Sequence, residues 1–280
     1  MGCCHEVCLT LPEYSVKAVI YGDPDGLPVI ALHGWLDNAA SFYAVGKHLE
    51  GIKLISLDLI GHGRSSYRPD GMPYHIWDNV TDLYQVLEQL KIDKTCLVGH
   101  SMGASIAMLF AGTFPDRIQH LMAIDGLVPL AYDVDSLPEL LSDAIVKREK
   151  MGSRNLKPYK TKEDAVSARM NGRWPVSREA AERLLERGLA KTDDGYIWSN
   201  DPRLLMPSLV RFSPDQIRAF LKAVKAQTTV IRASNGAANL IDGWVGELSS
   251  AELIDMQGGH HLHLEPHCAK EIASLLNSWV

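Results

Sequence analysis

The stretch Val98-Gly99-His100-Ser101-Met102-Gly103-Ala104-Ser105 constrains this chain more than any other. It carries the pattern Gly-x-Ser-x-Gly. The residues before it, Lys94-Thr95-Cys96-Leu97-Val98, have the character of a short buried strand, and those after it, Ile106-Ala107-Met108-Leu109-Phe110-Ala111, read as a helix. A strand that turns directly into a helix across one serine brings backbones close together. Residues near the serine must then be small, and Gly99 and Gly103, with Ala104 and Ser105 behind them, meet that demand. The turn holds the Ser101 hydroxyl outward at a strained tip, at a helix N-terminus where an anion is favoured. The plain alternative is a Gly-rich turn whose serine caps the helix.

Strands and helices alternate on both sides of this turn. Residues 5–21 read as an opening strand or hairpin, and Asp23-Pro24-Asp25-Gly26 as a turn. Pro28-Val29-Ile30-Ala31-Leu32 is apolar throughout, as a strand buried on both faces of a parallel sheet must be. A helix is expected over 41–49, a strand over 53–58, and an amphipathic helix over 76–90, where Trp77, Val80, Tyr84 and Leu87 recur at helical spacing. A further strand covers 120–124. The alternation then breaks: residues 127–225 are helical, charged and rich in Pro and Trp, with no convincing strand. Sheet pattern returns at 228–233 and 251–256, and a last helix covers 267–279. The expected fold class is α/β, a doubly wound, mostly parallel sheet formed by 1–126 and 226–280, with 127–225 inserted. Loops after strand C-termini carry the site in such sheets. His33, Asp58, Ser101, Asp125 and His260 all fall just after expected strands.

A chain of 280 residues fits one large domain with an insertion. The net charge of −6 leaves no basic footprint for a nucleic-acid partner. No apolar run reaches membrane-spanning length, and the first residues have no apolar core of a signal peptide, so a cytoplasmic protein is expected. The five cysteines do not make a disulfide framework, which agrees with a reducing compartment. Cys3, Cys4, His5 and Cys8 lack the spacing of a metal finger, so no metal is expected, and Glu6 weakens the myristoylation pattern begun by Met1-Gly2. The cluster Lys147, Arg148, Lys150, Arg154, Lys157 and Lys160 reads as a solvated helical face.

On these residues the chain resembles the α/β-hydrolase fold superfamily. The matching stretches are His33-Gly34-Trp35, Asp58 with Gly61-His62-Gly63-Arg64-Ser65, Gly99 to Gly103, and Gly259-His260. The resemblance spans nearly the whole chain, and the insertion 127–225 matches the position of that family's helical cap. Within the superfamily, His33-Gly34-Trp35-Leu36-Asp37-Asn38, Trp198-Ser199-Asn200-Asp201-Pro202-Arg203-Leu204 and His260-His261-Leu262-His263 resemble the serine hydrolase-like subgroup. Epoxide hydrolases and haloalkane dehalogenases lie close, but they carry Asp at the position of Ser101. A serine there would form an ether that cannot be hydrolysed like an ester.

The resemblance implies a serine hydrolase, most simply a carboxylesterase for small esters, that needs no cofactor. Ser101 requires a base. His260 matches the family's histidine, with His261 and His263 as rivals. Adjacent side chains point apart, so His260 and His261 cannot both face Ser101. The oxyanion hole needs two donors: the N–H of Met102, and by resemblance the N–H of Trp35, with Gly34 letting that loop pass close by. The family's usual acid follows the strand at 228–233, yet that loop reads Ser234-Asn235-Gly236-Ala237-Ala238-Asn239, with no carboxylate until Asp242. Asp125 ends the strand after the elbow helix, a position some members use, and is the expected acid; Asp242 and Asn235 are the alternatives. Asp58 is structural in the family. His33 and His62 are expected to brace loops and His100 to pack beneath the elbow. Asp37, Trp174, Tyr196, Trp198, Met206 and Phe212 are the expected substrate-binding residues. Thioesterases, carbon–carbon bond hydrolases and cofactor-free haloperoxidases share this machinery, and a non-catalytic small-ligand receptor on the same fold could retain it.

Overall fold

Short apolar runs become strands, and longer periodic ones become helices. The computed structural model describes residues 5–151 and 158–280. The elements begin with β1 (His5–Thr10), β2 (Ser15–Gly22), β3 (Leu27–Leu32), the single turn α1 (Tyr43–Gly46), β4 (Ile52–Leu57), α2 (Asp78–Leu90), β5 (Thr95–His100), α3 (Met102–Thr113) and β6 (Ile118–Ile124). Next come α4 (Leu137–Met151), α5 (Lys162–Met170), α6 (Arg178–Gly188), β7 (Leu189–Thr192), β8 (Gly195–Trp198) and α7 (Pro214–Ala223). The chain closes with β9 (Gln227–Asn235), β10 (Ala251–Gly259) and α8 (Pro266–Asn277). Met1, Gly2, Cys3, Cys4, Arg154 and Lys157, on which some expectations bear, lie outside the described residues.

Eight strands form one sheet in the order β1-β2-β4-β3-β5-β6-β9-β10. Strand β2 is antiparallel to both of its neighbours, and the remaining neighbouring pairs are parallel. The central strands β3, β5 and β6 are covered on both faces, which explains their unbroken apolar runs. In β5, Leu97 joins a core containing α2 and α3 residues, whereas Cys96 and Val98 join the opposite core with α1, α6 and α8 residues. Helix α3 is apolar on every side because β5 and β6 lie beneath it and α2 and α7 flank it. Helix α7 starts with a capping box, the Ser213 side chain to the Gln216 N–H and the reverse, with Pro214 at its first turn.

Two expectations need correction. The helix expected over 41–49 is a 3-10 turn at Ala39–Phe42 followed only by α1. The chain has to re-enter the sheet at Ile52, and Gly51, at φ +64°, makes that turn. The insertion also contains strands: β7 and β8 pair as an antiparallel hairpin. Four-residue strands show too little alternation to be read against helical neighbours. The hairpin and α4 to α7 occupy the chain between β6 and β9, and α7 packs along α3 before leading into β9. Among the described residues, no helix is long and apolar enough to cross a membrane.

Candidate active site

Ser101 is the residue between β5 and α3, with φ +51° and ψ −114°. A non-glycine residue there is strained, and strain of this kind persists only where the surroundings enforce it. Its N–H donates to the Ile124 carbonyl at 2.9 Å, pinning the turn to β6. A Cβ on Gly103 would come within 2.0 Å of the Leu32 carbonyl oxygen, so glycine is what lets α3 begin so close to β3.

Three side chains meet at this turn. The Ser101 hydroxyl lies 2.9 Å from His260 Nε2, and His260 Nδ1 lies 2.5 Å from Asp125 Oδ2. A carboxylate only accepts, so Nδ1 carries the proton and Nε2 is left to accept from Ser101. Asp125 is fully buried and sits at φ +43° just after β6. Its oxygens also accept from the Ala233 N–H at 3.0 Å and the Ala237 N–H at 2.8 Å. The loop after β9 therefore wraps the carboxylate instead of supplying one. Gly236 permits this, because a Cβ there would sit 2.2 Å from Asp125 Oδ2. Asp242 pairs with Arg232 at 2.6 Å, and the Asn235 amide reaches only Ser234, at 3.3 Å. Neither approaches His260 in a hydrogen bond.

Two cavities share a wall. One, of about 490 Å³, contains Ser101 and Met102 and is lined by Trp35, His62, Met206 and Phe212 among others. The second, of about 410 Å³, is lined by Trp35, Asp37, Trp174, Trp198 and Arg169 among others. Trp35 and Leu205 belong to both. Met206 and Phe212 thus join the serine, while Trp174 and Trp198 face the other chamber. Phe212 is mostly spent on packing, stacked on Trp77 at 4.1 Å. Tyr196 lines neither chamber; its backbone pairs with Tyr159, and its ring lies under the Lys162 ammonium. Asp37 is at the second chamber, but its oxygens bind Arg169 at 3.0 Å and His261 at 3.0 Å, so its charge is committed within the protein.

An alpha/beta hydrolase fold profile matches residues 28–265, most of the chain. The chain belongs to the α/β-hydrolase fold family. It is 27% identical to the serine hydrolase-like protein of Danio rerio, over 92% of this chain and 83% of that one. It is 26% identical to the human serine hydrolase-like protein 2, over 100% and 95% of the two chains. Among solved structures, a hypothetical protein from Pseudomonas aeruginosa PAO1 superposes with a TM-score of 0.93 at 38% identity, covering 98% of each chain. This α/β-hydrolase is serine hydrolase-like, and the fold and relatives together support a hydrolase.

Sequence reasoning did not foresee how this α/β-hydrolase clamps His260. The His100 Nε2–H donates to the His260 carbonyl at 2.8 Å, tying the backbone of the His260 loop to the elbow. Trp174 lies over the His260 ring at 4.5 Å, and Arg169 holds the Trp174 carbonyl at 3.0 Å. His261 points the other way, to Asp37, as its place next to His260 requires. His33 donates from Nδ1 to the Gly34 carbonyl at 2.7 Å and accepts the Leu59 N–H at Nε2, bracing the loop that carries Trp35. Asp58 is structural here: it accepts the Ala39 and Arg64 N–H groups and pairs with Arg187. Asp37, His100 and His261 offer three ligand atoms within 4.8 Å of one another, the one group among the described residues that could hold a metal ion. The Arg169 guanidinium already supplies a cation to that cluster.

Burial keeps His62, His100 and His263 neutral. Desolvation pushes His100 well below its ordinary value and takes His62 and His263 down to about 3. Between pH 6.5 and 3 the unfolded chain therefore binds protons that the native chain refuses, and stability falls as pH falls, by about 1.4 kcal/mol per pH unit for each such histidine. Asp82, raised to about 6 chiefly by burial, acts in the opposite sense as pH drops from 6, but it is one group against three. The urea midpoint is expected to decline from pH 7 to pH 5. A midpoint that is flat or rises over that range would contradict the neutral histidine cluster.

Proposed function

We propose that this protein is a carboxylesterase acting on small esters through an acyl-enzyme. The observation that carries the reading is the continuous chain from Ser101 through His260 to the buried Asp125. His260 takes the Ser101 proton as the hydroxyl attacks the ester carbonyl, and Asp125 stabilises the imidazolium that forms. The tetrahedral oxyanion is received by the Met102 N–H and the Trp35 N–H. The Gly34 carbonyl is held by His33 and by the Asp37 N–H, and in a trans peptide the Trp35 N–H points opposite to it. His260 returns its proton to the departing alcohol. Water then attacks the acyl-enzyme by the same route in reverse, and no cofactor is required. Residues 127–225 act as a cap that closes the serine's chamber. The largely apolar lining around Ile76, Val128, Leu130, Met206 and Leu240 suits an acyl chain.

Turnover of p-nitrophenyl esters of graded acyl length tests this reading. Hydrolysis of the acetate is expected, while a folded protein inert to the whole series would favour a non-catalytic receptor. The series also tests the chamber. Met206→Trp fills space and is expected to shift the optimum to shorter chains, and Met206→Ala to longer ones, with each methylene gained or lost changing kcat/KM by about fourfold. An unmoved optimum in both variants would place the acyl chain elsewhere.

A further inference from the structure

The second chamber shares Trp35 with the serine's chamber and backs His260 through Trp174, but its interior takes no part in the proposed hydrolysis. Its faces are aromatic: the indoles of Trp35, Trp174 and Trp198 and the phenol ring of Tyr159. Three of these rings, those of Trp35, Trp198 and Tyr159, are fixed by their own polar atoms. Trp35 Nε1 donates to the Leu204 carbonyl at 3.2 Å, and Trp198 Nε1 donates to the Tyr159 hydroxyl at 3.2 Å. Rigid, apolar, concave walls with few polar groups are the mark of a small-molecule site.

The charges around the chamber almost cancel. Asp37 is paired with Arg169, and Asp201 with Arg203 at 2.7 Å. What remains is Arg173, on the segment between α5 and α6. It lines the chamber with its guanidinium 5.6 Å from the Trp174 ring centre, and among the described residues it makes no ion pair. A planar guanidinium at the edge of an indole-walled slot matches a planar acid: the rings stack on the indoles while the fork grips the carboxylate. An amine would meet an uncompensated positive charge there. A neutral ligand would leave that charge unused.

We infer that this chamber, separate from the one holding Ser101, is a binding site for an aromatic carboxylate. Neither acid already in the chamber competes for Arg173, since each has its own arginine. Arg173 does not line the serine's chamber, so its replacement reports on the second chamber alone.

The test is calorimetric titration of the intact protein with 2-naphthoate and with the uncharged isostere 2-naphthamide. It needs no turnover, so its outcome is independent of the esterase reading. The wild type is expected to bind the acid more tightly than the amide by about tenfold or more, the worth of a charge-assisted pair. Arg173→Gln, a change at an exposed side chain, should abolish that preference while leaving the amide's affinity as it was. Arg173→Lys should retain part of it. Equal affinity for acid and amide in the wild type, a preference that survives in Arg173→Gln, or no binding of either at millimolar concentration would each overturn the assignment.

Discussion

Ser101→Ala is expected to lower kcat for a p-nitrophenyl ester by about a million-fold, the loss seen when a hydrolase of this mechanism is stripped of its nucleophile. The fold should survive. The side chain removed is one hydroxyl, and the strained backbone at φ +51° is held by the Ile124 hydrogen bond and by the packing around Gly103, none of which involves Oγ. A change in stability within about 1 kcal/mol is therefore expected. His260→Ala should cost nearly as much as Ser101→Ala, and the double variant should be scarcely worse than either single one, because the two residues act as a unit. Native circular dichroism separates loss of chemistry from loss of fold. Retention of a tenth of wild-type turnover in folded Ser101→Ala would contradict the assignment.

Asp125→Asn is expected to cost about four orders of magnitude in kcat with the fold intact. The carboxylate accepts from three donors at once: the Ala233 and Ala237 N–H groups and His260 Nδ1–H. An amide has one oxygen. If that oxygen stays with the backbone, the NH2 group faces His260 and forces its proton onto Nε2, the atom that must accept from Ser101. The base is then in the wrong tautomer. Asp242→Asn breaks only an exposed pair with Arg232 and should leave turnover near the wild-type level. The comparison is direct: both variants are assayed on the same ester after their circular dichroism has been checked. Near-normal turnover in Asp125→Asn, or a collapse in Asp242→Asn, would return the acid to the loop after β9.

Much of this arrangement is legible in the sequence because its determinants are local. Gly99 and Gly103 flank Ser101 within one turn, the run before Asp125 is strongly apolar, and the shorter Leu253-Ile254 core of the last strand ends at the Gly258-Gly259 pair before His260, so the strand ends that bring these residues together can be read directly. Asp125 can be singled out because the loop 234–239 has no carboxylate. That Gly236 and the Ala237 N–H of this loop, with the Ala233 N–H of β9, receive Asp125 is a tertiary fact with no local signature. The insertion is less legible for the same reason. Its hairpin has strands of four residues, and Trp174 reads equally as pocket lining or as core until its ring is found over His260. Arg169 and Asp37 lie 132 positions apart, so no periodicity connects them, and Asp37 looks available for substrate when it is already neutralised. Tyr196 fails as a pocket residue because pairing with Tyr159 in the hairpin region fixes its place. The division into two chambers depends on where Trp35 and Leu205 meet, from loops far apart in the chain.

The claim that an activated Ser101 is the nucleophile is tested most directly by covalent labelling. The protein is treated with a fluorophosphonate, digested, and its adducts mapped by mass spectrometry. A single adduct on Ser101, absent from the Ser101→Ala protein and abolished when His260 is replaced, is the predicted result. An unlabelled wild-type protein, or an adduct on any other residue at equal yield, would contradict it.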